Sequence, residues 1–148
     1  MRNIKKLLLI IVIILVAYLV YDHYRSMHSD APATQTSTNE QALANAFENH
    51  LSNIQVHGQG IITRVLPDDN EGSRHQRFII RLASAQTLLI AHNIDIAPRI
   101  TGLSEGDTIG FNGEYEWNIE GGIIHWTHRD PTGHHPAGWI KHNGKTFQ

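Results

Sequence analysis

The chain has 148 residues, enough for one domain and an appendage, and is 41% hydrophobic with no cysteine. Disulfides, thiolate metal sites and cysteine nucleophiles are therefore excluded. From Asp30 onward there are eight Lys/Arg against thirteen Asp/Glu, a net of −5. Non-specific nucleic-acid binding is thus not expected, because it depends on basic side chains neutralising phosphates.

The N-terminus reads as an export segment. Met1–Lys6 is basic, and Leu7–Val20 is fourteen residues without a charge, extended by Tyr21. The run gives about 22 Å of helix against roughly 30 Å of hydrocarbon. Ile4 and the stems of Lys5 and Lys6 lengthen it, and Tyr18, Tyr21 and Tyr24 resemble an interfacial belt. Ala17–Tyr21 lacks the small-residue pair of a cleavage site. Residues 1–24 are therefore expected to be an uncleaved signal anchor, a transmembrane helix that meets the lipid bilayer through residues 4–21. A cleaved signal peptide and a buried core helix are the other readings. Positive charges before the span put the body outside the cytoplasm.

Residues 25–39 form a polar, small-residue tether. Thr38-Asn-Glu-Gln41 reads as a capping box, followed by Leu43, Phe47, Leu51 and Ile54 on one stripe. An amphipathic helix is expected over residues 40–54. From Gln55 the period falls toward two. Strands are predicted over Gln55–Leu66, with Gly58 and Gly60 where it must curl or bulge, His75–Ala83, Gln86–His92, Thr108–Asn118 and Gly122–His128. Asn93–Leu103 holds Pro98 and is expected to be a loop or short helix, with Asn93 or Asp95 as its cap. Phe78, Ile80, Leu82, Leu89, Ile109 and Phe111 are the predicted core.

Five strands, a curled first strand and one long connection between strands three and four are the order of an OB-fold. The fold class is therefore all-β, with a small OB-like barrel over residues 55–128. Another small antiparallel barrel or open sheet is the alternative. Strand five is expected near strand one rather than strand three, which would leave His92 and His128 close only across the barrel mouth. Residues 129–148 form a Gly-, Pro- and His-rich tail, and Asn143-Gly144 signals a type I′ hairpin.

The stretch Gly121–Trp139 holds four histidines, one aspartate and two tryptophans. His125 and His128 lie three apart and face opposite ways on a regular strand. They converge only if the strand ends or bulges near Thr127. With Asp130, and with His134 or His135 in reach, they would form a metal set suited to a divalent transition metal such as zinc. Surface histidines bonded to the tail's own backbone are the plainer reading. Glu114 and Glu116 share one strand face, about 6.5–7 Å apart, a separation within the range of inverting glycosidase pairs but common to any such strand pair. His92, Glu114 and His128 are the catalytic candidates. His75, Arg77, Arg99, Trp117 and Trp126 are the ligand-binding candidates, with basic groups on strand two and indoles for stacking.

The phrases His75-Gln-Arg-Phe78, Ala91-His-Asn-Ile-Asp95, Gly113-Glu-Tyr-Glu-Trp117 and His125-Trp-Thr-His128 through Asp130-Pro131 occur together. On them the chain resembles an uncharacterised bacterial domain-of-unknown-function family of short exported or membrane-anchored proteins. The resemblance implies a bacterial, extracytoplasmic protein, and no established activity comes with it. The expected place is a bacterial inner membrane, crossed once, with the C-terminal domain in the periplasm or outside the cell. The expected function is a membrane-tethered OB-like module that binds an envelope ligand: a glycan, a peptide or another envelope component. The alternatives are a metal-dependent hydrolase with a His/Asp/Glu site and a structural envelope protein with pH-responsive histidines.

Overall fold

The computed structural model describes residues 13–24 and 33–148. The basic segment before the apolar run, the first part of that run and residues 25–32 of the predicted tether lie outside the described residues. Residues 13–24 form helix α1, whose large apolar side chains are more than half exposed, from Val16 at 52% to Tyr18 at 64%. No helix among the described residues is long and apolar enough to cross a membrane.

Residues Gln35–Gln148 make one compact unit. It is mostly β, with one helix at its start. Helix α2 covers Ala33–Glu48, earlier than the 40–54 expected from the apolar stripe. Thr38–Gln41 therefore lies inside the helix and is not its capping box. Leu43 and Ala46 are fully buried, whereas Leu51 lies beyond the helix and is exposed. The helix stops at a Schellman turn. The Leu51 N–H donates to the Ala46 carbonyl and the His50 N–H to that of Phe47, with His50 in the left-handed region at φ 52°. A histidine takes the position glycine usually fills, which is why the stop was not legible.

The strands are β1 (Ile54–Val65), β2 (His75–Arg81), β3 (Thr87–Asn93), β4 (Thr108–Glu116), β5 (Ile123–His125), β6 (Trp139–His142) and β7 (Lys145–Phe147). The first five close into a barrel in the order β1-β2-β3-β5-β4, with β4 returning to β1. β1 serves two neighbours: Ile54–Ile61 pair with β4 and Ile61–Val65 with β2. Gly60 sits at the handover, where a Cβ would lie 2.8 Å from the Arg81 carbonyl oxygen, so only glycine allows that approach. The register break lies further on, between Ile62 and Arg64.

β5 runs parallel to β3, pairing Leu89 with Ile123 and Ile90 with Ile124. This corrects the expectation that strand five would sit away from strand three. β5 is also shorter than predicted, because Trp126 turns into the left-handed region at φ 50° and ends it. β4 divides its second edge, giving Ile109–Asn112 to β6 and Glu114–Glu116 to β5. β6 and β7 form a hairpin whose turn residues Asn143 and Gly144 both have positive φ.

Alternate residues of each strand fill the barrel. Phe78, Ile80, Ile109, Phe111 and Tyr115 are fully buried, and Leu82 nearly so. Leu89, predicted to be core, is half-buried on the outer face, and Leu88 and Ile90 point inward instead. The run Leu88-Leu89-Ile90 is apolar throughout, so its parity could not be read from composition. The connection from β3 to β4 forms no helix among the described residues. The Asn93 side chain accepts the Asp95 N–H, and the Asp95 carboxylate accepts the Arg74 N–H and Nε–H. The buried Gln76 amide exchanges two hydrogen bonds with the Ile100 backbone and so fastens this connection to β2.

Candidate functional site

The outward residues of four adjacent strands form one face. β2 contributes His75 and Arg77, β3 Leu89 and Ala91, β5 Ile123 and His125, and β4 Glu114 and Glu116. The registers place these side by side: Arg77 opposite Ala91, Leu89 opposite Ile123, and His125 opposite Glu114. Two concavities open on this face. One, of about 430 Å³, has Leu89, Ala91 and Ile123 as its apolar floor and Asp69, His75, Arg77, Glu116 and His125 as its walls. The other, of about 220 Å³, runs past Asn93, Ile96, Trp126 and His128 and shares His75 and His125 with the first.

At the end of β5 the carboxylate of Glu114 lies between two imidazoles. Its Oε1 is 3.3 Å from His125 Nε2, and its Oε2 accepts from His135 Nε2 at 2.7 Å. Glu116 Oε2 stands 4.0 Å from His125 Nε2. The cross-strand pairing of Glu114 with His125 creates the first contact. The second needs residues 126–138 to fold back onto the barrel. Gly138 makes that return possible: its N–H donates to the His128 carbonyl, and a Cβ there would fall 1.9 Å from the Trp126 carbonyl oxygen. His135 then stacks flat on Trp126, with ring centroids 4.2 Å apart.

The two imidazoles are held differently. His135 Nδ1 donates to the Pro136 carbonyl and Nε2 to Glu114, so both nitrogens are donors. Desolvation opposes the charge, but the bonds to Glu114 and Pro136 together raise its pKa above the ordinary value. His125 goes the other way. Burial lowers its pKa more than the charges of Glu114 and Glu116 raise it. Its Nε2 is shielded from solvent and has no hydrogen-bond partner among the described residues.

The other candidates are placed differently. His92 points inward from β3 and is fully buried. Its Nε2 donates to the Pro98 carbonyl at 3.1 Å, and its Nδ1 faces the Thr127 hydroxyl at 2.9 Å. Burial lowers its pKa to about 4, which keeps it neutral with Thr127 as donor. Both ring nitrogens are thus committed to the fold, beneath the face rather than on it. His128 is nearly buried, donates to the Arg129 carbonyl, and packs its ring 5.4 Å from Trp126. Asp130 works as a turn cap. It accepts from the N–H groups of Thr132, His134 and His135 and from the Thr132 hydroxyl, and these bonds, those of Thr132 foremost, hold its pKa far below the usual range. It supports the turn that carries His135.

Arg77 lies in the groove wall, 3.7 Å from Asp69. Arg99 pairs with Asp68. Trp117 and Trp126 do not share a platform. Trp117 packs on His50 and donates its indole N–H to the Phe47 carbonyl, binding β4 to the end of α2. Trp126 lines the smaller concavity. Sequence reasoning named Glu114 and His125 separately. It gave Glu114 and Glu116 a common strand face and His135 no fixed place. The register of β4 against β5 was the missing signal.

The chain matches, over residues 26–148, the model of a family described as "Protein of unknown function (DUF3465)". That match covers most of the chain, which therefore belongs to this family. No curated protein matches it significantly.

Proposed function

We propose that this member of the DUF3465 family is a membrane-tethered binding module outside the cytoplasm. Its ligand surface would be the outer face of β2, β3 and β5. The strand order, with β1 shared between β2 and β4 and β5 parallel to β3, supports an OB-like reading of the barrel. Such barrels take oligonucleotides or oligosaccharides on the face of strands two and three. The acidic balance of the body disfavours nucleic acid and leaves a glycan or peptide of the envelope as the ligand. The exposed apolar side chains of α1, most of which lie within the charge-free run Leu7–Val20, support tethering to a bilayer.

The observation that carries the reading is the groove itself. It has an apolar floor, walls of mixed charge, and two concavities joined at His75 and His125. An apolar floor with a few convergent polar groups is the usual form of a ligand site. The test is backbone NMR of the ¹⁵N-labelled protein titrated with envelope glycan fragments and with short peptides. Shifts should cluster at His75, Arg77, Ala91 and Ile123, and Ala91→Trp should weaken binding at least tenfold. Shifts that instead cluster at the separate concavity by Phe47, Gln86 and Ile119 would count against this face. Fractionation of cells, with N-terminal sequencing, tests the tether. A soluble product starting after Tyr21 would overturn it. The metal-dependent hydrolase is the second reading, favoured by the convergence of Glu114 and His125.

A further inference from the structure

We infer that Glu114, Glu116 and His125 form a binding site for one divalent transition metal ion of the zinc type, with a coordination position open to the groove. This set differs from the His125, His128 and Asp130 set expected from sequence. It stands independently of any organic ligand in the groove.

Geometry supports it. Zinc bonds to imidazole nitrogen and carboxylate oxygen are about 2.0–2.2 Å, so neighbouring ligand atoms in a tetrahedral shell lie about 3.3–3.6 Å apart. His125 Nε2 and Glu114 Oε1 are 3.3 Å apart, and Glu116 Oε2 is 4.0 Å from the same nitrogen. One ligand atom from each of the three residues lies within 4.8 Å of the others. A rotamer adjustment of Glu116, which is 45% exposed, would close the remaining gap.

The unpartnered nitrogen is the second, independent sign. Buried polar atoms almost always have a hydrogen-bond partner. His125 Nε2 has none among the described residues, although two carboxylates lie within 4.0 Å of it. An imidazole nitrogen beside two carboxylate oxygens is a donor set for zinc, copper or nickel. His135 completes the arrangement from outside. It holds the second oxygen of Glu114 at 2.7 Å, while its own ring is fixed by Pro136 and stacked on Trp126. Ligating carboxylates are commonly held by such outer hydrogen bonds. His135 is therefore a positioning residue here. Three protein ligands leave a fourth position, and Glu116 and His125 both line the larger concavity, so that position faces the groove.

The experiment is equilibrium dialysis of the metal-stripped full chain against zinc, with elemental analysis, and a cobalt(II) titration followed by its visible absorption. The expected result is one tightly held zinc per chain and a cobalt spectrum typical of four-coordinate N/O ligation. His125→Ala, Glu114→Gln and Glu116→Gln should each weaken zinc at least tenfold. His135→Ala should weaken it about tenfold with the cobalt band shifted rather than lost. His57→Ala and His134→Ala, which remove exposed imidazoles elsewhere, should leave affinity unchanged. Far-UV circular dichroism of each variant checks folding, and Glu116→Gln is informative even if His125→Ala fails to fold. The absence of stoichiometric zinc, or affinity unchanged by Glu114→Gln and Glu116→Gln, would overturn the site. Loss of zinc with glycan or peptide binding retained would leave the groove reading standing, and the reverse outcome would leave the metal site standing.

Discussion

The inner end of the barrel around His92 and the outer face around His125 use the same side chain in opposite ways. The two residues sit on parallel neighbouring strands, and each has a depressed pKa caused first by burial. Inside, His92 spends one nitrogen on the Pro98 carbonyl and the other on Thr127. Its work is structural: it joins β3, the β3–β4 connection and the segment after β5. Outside, His125 lies against two carboxylates, and its Nε2 has no hydrogen-bond partner among the described residues. Burial alone does not distinguish the two histidines. The partners of their ring nitrogens do.

The sharpest way to break the inner region is to remove one of its largest fillers. Phe78→Ala should cost about 3–5 kcal/mol, measured by urea or thermal unfolding, because a fully buried ring leaves a cavity. A midpoint within error of the parent would contradict the burial. Next comes acid. The folded pKa of His92 is about 4 against an ordinary 6.5, so its stabilising contribution is complete above pH 6.5 and is lost as pH falls toward 4. The loss should reach roughly 3 kcal/mol at pH 4. His92→Gln should flatten that part of the stability curve, and an unchanged slope would refute the assignment. His135 has the opposite sign. Its folded pKa is raised, so its contribution is present below pH 6.5 and lost as pH rises through the folded value. Removing it should therefore weaken the protein more at acid pH than at alkaline pH.

Gly138→Ala tests the link between the two regions. The added carbon must displace backbone, at a cost of about 1–3 kcal/mol, and should release His135 from Trp126. Fluorescence of Trp126 and the unfolding midpoint report both effects. Smallest of all is His125→Ala, expected to change stability by less than about 1 kcal/mol, as for a site residue outside the core. A loss as large as that of Phe78→Ala would mean that the outer face is structural as well.

Much of the barrel was legible because its strands alternate. Phe78 and Ile80, or Ile109 and Phe111, declare an inner face by period two, and Glu105-Gly-Asp107 and Asn143-Gly144 declare turns. Other features depend on contacts far apart in the chain. The parity of Leu88-Leu89-Ile90 is set by the neighbouring strands, and the end of α2 by a left-handed His50. The site failed to show for a similar reason. His125 meets Glu114 through strand pairing, and His135 arrives only because Trp126 adopts a positive φ and Gly138 lets the chain pack closely. Sequence spacing favoured His125, His128 and Asp130 because they are near in the chain. The fold instead uses Asp130 to cap the turn that delivers His135.

Long-range ¹H–¹⁵N spectroscopy of the imidazoles, recorded while zinc is added to the folded protein at neutral pH, sets the two regions directly against each other. The expected result is a large shift of His125 Nε2 at one equivalent, with His92 unmoved as the neutral Nε2–H tautomer. A zinc-dependent shift at His92 with His125 unaffected would contradict the division between a structural interior and a functional outer face.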